Sequence, residues 1–164
     1  MKRIFSIVAA LVVAMVMMVS CASQNTQDAK ALIESISKND VATATTLADK
    51  LYAAKDQLTT DESCALALGY NGLANLTKDT DLAQAQAFSQ KFVEVASAVV
   101  AKDAEGVKKF ADESKVNIAD ILNQVVAAQK AAEEAAAQAA AQAEAEAAEA
   151  AEGEAAEGAE EAAE

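Results

Sequence analysis

The chain has no proline, no histidine and no tryptophan among its 164 residues, and only two cysteines, two tyrosines and four phenylalanines. Without proline, every break between elements has to be made by caps, glycines and polar turns. Without histidine, no side chain has an ordinary pKa near neutrality, and neither a Ser-His nor a Cys-His nucleophile can be assembled. Zinc-ligand spacings, a Gly-rich phosphate loop and a nucleophile elbow are also missing. The sequence therefore points to no catalytic residue, no cofactor, no metal and no small-molecule substrate, and an enzyme is not expected.

Charge of one sign is missing from the end of the chain. Residues 131–164 hold 19 Ala, 11 Glu, 2 Gln and 2 Gly, with no base. The preceding residues 21–130 hold 11 Lys against 15 Asp and Glu, a net of -4, so most of the overall -13 sits in the tail. Such a tail repels nucleic acid and anionic lipid and excludes both as electrostatic partners. It cannot build a core. Alanine favours helix, but there is no Lys to form four-residue ion pairs, and Glu157 and Glu161 repel each other. Helix to about Ala151 is expected, then fraying at Gly153 and Gly158. A helical 131–151 would be a rod of about 30 Å. It serves either as a spacer or charged bristle, or as a solvated low-complexity segment with no specific partner.

The one long apolar run lies at the start. Lys2 and Arg3 precede Ile4 to Val19, sixteen mostly apolar residues, in the charge-then-apolar order of a secretory signal. A bilayer core about 30 Å thick asks for roughly 20 helical residues, so the run is short for a permanent span. At its end stands Met18-Val19-Ser20-Cys21, which resembles the lipobox of bacterial lipoproteins in the relaxed form found in the Bacteroidota. The resemblance covers about the first two dozen residues. It implies removal of residues 1–20, diacylglycerol on the Cys21 thiol and usually a further acyl chain, such as palmitate, on its amino group. Two or three chains anchor stably, at about 0.8 kcal/mol per buried methylene. Met18 and Val19 depart from the family's Leu and small residue. Ordinary signal-peptidase cleavage after Ala22 and an uncleaved anchor are the competing readings. Ala22 in place of Asp implies the outer membrane, and the absence of acids from residues 22–27 implies its periplasmic face. The implied partners are the membrane, through the acyl chains, and an envelope protein.

Cys64 is the other cysteine. With Cys21 committed to a thioether it has no disulfide partner, and in an oxidising compartment a burial site for it is expected.

From residue 28 onward apolar positions recur at three and four, so helices are expected throughout. The first spans about Asp28 to Ser37, after a polar tether at 21–27. Asn39 or Asp40 caps the second, with Val41, Ala44, Leu47, Leu51, Ala54 and Leu58 as its stripe. Thr59 and Glu62 have capping-box spacing for the third, in which Gly69 and Gly72 cost about 1 kcal/mol each unless another helix approaches closely there. Asp79 or Thr80 opens a long fourth helix, expected to be central, with Leu82, Ala85, Phe88, Phe92, Val95 and Val99 inward. A fifth runs from Ala104 past Gln129, with a kink site at 113–117.

A shift of 41 residues lays Asp40, Ala44, Leu47 and Leu51 on Asp81, Ala85, Phe88 and Phe92. This weak repeat of a helix pair resembles tetratricopeptide-type repeats, with Leu68-Gly69 as the fragment of their consensus and the terminal Pro missing. That resemblance implies a groove for a peptide or protein, in which Tyr52, Tyr70 or Asn71 would be exposed. An ordinary antiparallel bundle is the alternative. In either case the tyrosines are read as buried rings with wet hydroxyls. Carboxylate chemistry or cation binding would require Asp61, Glu62, Asp79 or Asp81 to converge, although each stands at a helix start, where acids are favoured for capping.

The expected fold is all-α: a small antiparallel helical bundle or short helix-hairpin repeat of about five helices over residues 28–130, with a long C-terminal helix entering the tail at 131–164.

Overall fold

The computed structural model describes residues 23–131 together with 134, 137 and 138. The signal segment at 1–20, the Cys21 anchor and the rest of the Ala/Glu tail lie outside the described residues. The chain divides into two compact units after Val125. Among the described residues the structure is all helical.

The first helix, α1 (Gln24–Ser37), starts four residues earlier than its apolar pattern suggests. Ser23 is its N-cap, with the hydroxyl accepting from the Thr26 N–H at 3.2 Å. Residues 24–27 are thus a helical turn and not the loose tether expected there. At the other end Asn39 takes a left-handed conformation (φ 58°), one that Asn tolerates better than most residues. The Asp40 N–H then reaches Ser35 O and the Asn39 N–H reaches Ile36 O, which satisfies the last carbonyls.

Asp40 caps α2 (Val41–Ala53), whose buried face is Ala44, Ala48 and Leu51. The helix stops at Ala53, followed by a single 3-10 turn, Lys55–Gln57, and Leu58 enters the core from extended backbone. The capping box of Thr59 and Glu62 opens α3 (Thr60–Thr77). Asp81, not Asp79 or Thr80, caps α4 (Leu82–Lys102). Asp103 alone joins α4 to α5 (Ala104–Ser114) and caps the latter.

The expected fifth helix is two helices, broken within the kink site at 113–117. Lys115 is left-handed (φ 60°, ψ 21°), the Ser114 hydroxyl accepts the Val116 N–H, and the Asn117 side chain accepts from Ala119 and Asp120. These local bonds offer the backbone an alternative to helix, and α6 begins at 118. It sends Ile118 into the core, with Ile121, Leu122 and Val125 packed at its edge. In the second unit residues 126–131 are helical, and Lys130 lies 3.9 Å from Glu134.

The central helix is α3, not α4. Residues 64–73 are buried without interruption, and α3 packs against α1, α2, α4 and α5. A helix buried on all sides needs small residues where its neighbours come close. Ala65, Ala67, Gly69 and Gly72 supply them. Leu82, expected inward, is 64% exposed because it sits at the first position of α4, beyond its neighbours.

The substantial helix contacts are α1 with α2, α1 and α2 with α3, α3 with α4, and α3 and α4 with α5. Each hairpin packs on the next in sequence. Asp28 meets Lys50 at 2.7 Å, so α1 and α2 are antiparallel, whereas Asp49 with Lys91 and Tyr52 with Glu94 align α2 and α4 in parallel. Those last pairs are 42 residues apart, close to the 41-residue sequence repeat. The starts of α1, α3 and α5 consequently share one end of the unit, and the turns at 38–40 and 78–81 share the other.

A Cβ on Gly69 would lie 2.8 Å from Leu32 Cγ, and one on Gly72 2.6 Å from Ile36 Cγ2, both on α1. Leu32 is fully buried and has no room to withdraw. Gly69→Ala should lower stability by about 1–3 kcal/mol through overpacking, despite a helix-propensity gain of about 1 kcal/mol. Urea unfolding checks this as a lower midpoint with an unchanged slope; an equal or higher midpoint would contradict the close approach.

Candidate functional site

The most organised polar constellation centres on Glu62, which is 3% exposed. Its Oε1 accepts from the Ser23 hydroxyl at 2.9 Å and the Thr26 hydroxyl at 2.6 Å, and its Oε2 accepts the Thr59 N–H at 2.9 Å. Burial pushes its pKa up, but the bonds from Thr26, Thr59 and Ser23 outweigh that and hold it below its ordinary value near 4.5. The carboxylate is saturated by the chain's own donors. It works as a latch between the first turn of α1 and the start of α3.

The other acids singled out from the sequence do not join it. Asp61 faces outward beside Glu62, its pKa raised by partial burial and by the nearby Glu113 charge. Asp79 and Asp81 lie at the far end of α3, whose 18 residues span about 27 Å. Asp79 is exposed, and Asp81 accepts the Gln84 N–H as a cap. Among the described residues no group of three or more His, Cys, Asp or Glu is placed to hold a metal ion. No described helix is long and apolar enough to cross a membrane.

Cys64 is fully buried. Burial first, then the Asp61 and Asp103 charges, push its thiol up to about 12. It packs as a small hydrophobe in the core.

Of the residues proposed to line a groove, Tyr70 and Asn71 are buried, which removes them from any exposed face. The Tyr70 hydroxyl, expected to be wet, donates to Ala48 O at 3.3 Å and Asp49 Oδ1 at 3.4 Å. Tyr52 is half-buried and donates to Glu94 at 2.6 Å. Lys55 pairs with the same Glu94 at 2.6 Å and lies 4.5 Å from the Tyr52 ring centroid. Bonds from Lys55 and then Tyr52 lower the Glu94 pKa. Lys91 lies 5.3 Å from the Tyr52 ring and 5.2 Å from the Tyr70 ring, and the two rings meet edge-on at 6.0 Å.

Beside this cluster is a cleft of about 290 Å³ between the 3-10 turn, the start of α3 and the second half of α4. Leu58, Val95 and Val99 form its apolar wall, and Lys55, Glu94 and Lys102 its charged rim. Lys55, Lys91 and Glu94 were not singled out in the sequence. Their signal was the repeat itself, since a 41-residue offset brings α2 residues beside α4 residues.

The chain matches no protein-family profile, no curated protein and no solved structure.

Three outcomes follow from this geometry. Glu62→Ala leaves two hydroxyls and an N–H without their acceptor and should cost about 1–3 kcal/mol in chemical denaturation. Because the folded-state pKa is lowered, Glu62 stabilises above its ordinary pKa, and that contribution is lost as pH falls through the lowered value. The stability gap between the native chain and Glu62→Gln should accordingly narrow below pH 4.5. For Cys64, a thiol-specific chromogenic reagent at pH 8 should label the native protein at least about 100-fold more slowly than the urea-unfolded chain; rapid native labelling would contradict the buried placement.

Proposed function

We propose that the chain is a lipid-anchored protein of the bacterial outer membrane, facing the periplasm, with a structural or protein-binding role and no catalytic activity. The observation that carries this reading is the order Lys2-Arg3, apolar run, Ser20-Cys21, followed two residues later by Ser23, the N-cap of α1. Acyl chains on Cys21 would confine the domain to the membrane surface and raise its effective concentration toward envelope partners.

The non-catalytic reading draws support from Glu62 being saturated by the chain's own donors and from the separation of the Asp61/Glu62 and Asp79/Asp81 pairs. A second reading, a tetratricopeptide-like scaffold that binds a peptide or protein segment, is favoured by the stepwise hairpin contacts and by the cleft beside Tyr52 and Glu94.

Intact-mass analysis of the membrane fraction tests the anchor. The native chain should begin at Cys21 and carry two or three acyl chains, and Cys21→Ser should lose them and leave the membrane. A native chain that begins at Ser23 without lipid would overturn the reading.

A further inference from the structure

We infer that the end of the helical domain bearing the Ser23, Thr59 and Asp103 caps is a bilayer-facing surface, seated in the headgroup layer. This rests on the reading of Cys21 as lipidated. Ala22 is the sole residue between Cys21 and Ser23. Two peptide units reach at most about 7.6 Å between Cα atoms. Ser23 is no continuation of that linker, because its hydroxyl accepts the Thr26 N–H and donates to Glu62 on α3. Ser23, two peptide units from the anchor point, is therefore fixed to the core.

The Thr60 hydroxyl in turn donates to Asp103 at 2.5 Å, so the three caps that start α1, α3 and α5 lie in one layer. A domain held this closely by that layer has room to turn it only toward the membrane. The exposed residues there include Gln57, Thr59, Lys102 and Glu105, which are polar and of mixed charge. The exposed large hydrophobic residue of this unit, Leu82, lies at the opposite end. Among the described residues the layer therefore suits contact with hydrated headgroups and offers no large exposed apolar side chain to insert among acyl chains. The far turns, with Leu82 beside Lys78–Asp81, are carried about 27 Å outward by the 18 residues of α3.

The test uses the mature lipidated protein in phosphatidylcholine vesicles that contain a headgroup spin-labelled lipid. In a Cys64→Ala background a small fluorophore is attached to Gln57→Cys or Glu105→Cys at the near end, or to Asp79→Cys at the far end; all three positions are exposed. With the ends separated by about 27 Å, quenching at 57 and 105 should exceed that at 79 by roughly threefold or more. A flexible Gly-Ser insertion between Ala22 and Ser23 should abolish the difference. Equal quenching at all three positions of the native-length protein, with vesicle flotation intact, overturns the orientation alone. Failure to float overturns both it and the anchoring reading.

Discussion

The Glu62 carboxylate is the interaction on which the arrangement depends. A buried carboxylate is costly unless its oxygens are satisfied. Here the satisfying groups come from two places at once: the Thr59 N–H of its own helix start, and the hydroxyls of Ser23 and Thr26 on another helix. The capping box ties Glu62 to α3, and the two hydroxyls tie the first turn of α1 to Glu62. The beginning of the fold is thus locked to its centre.

That lock works because α1 can lie against α3. Gly69 and Gly72 bring the two helices close enough for Leu32 and Ile36 to fill the space a Cβ would take. The helix-propensity cost of two glycines is offset by apolar burial on both helices. The parallel placement of α1 and α3 follows, and with it the single layer of caps at one end. Outside the core, Asp49 pairs α2 with Lys91 of α4, and Lys55 of the 3-10 turn pairs with Glu94 of α4. These pairs are substantially exposed and contribute little stability on their own.

Much of this was legible in the sequence because it is local chemistry. The helical period, the Thr59–Glu62 box and the Asp40 cap each follow from residues within a turn or two of one another, whereas the burial of Cys64 followed from its lack of a disulfide partner. Three features were not legible for the opposite reason. The early start of α1 depends on Ser23 and Thr26 having an acceptor 36 to 39 residues away. The central position of α3 depends on small residues being covered from every side, which an amphipathic-stripe reading cannot register. The exposure of Leu82 depends on where its neighbours end. The break after Ser114 had a local signal, Ser114 and Asn117, but required Lys115 to adopt a left-handed conformation that its side chain does not favour. As for the candidate site, Tyr52 could be picked out by residue type, whereas Glu94 and Lys91 acquire meaning only through the hairpin repeat.

The central claim is that Ser23, two residues after Cys21, already caps a helix latched to the core through Glu62. Native-state hydrogen exchange of the amides of Gln27, Asp28 and Ala29 tests it most directly. The account predicts protection comparable to that of Leu32 and Ile33 in the middle of α1, and a selective loss of that protection in Glu62→Ala. Exchange of those first-turn amides at the rate of an unstructured peptide in the native protein would contradict it.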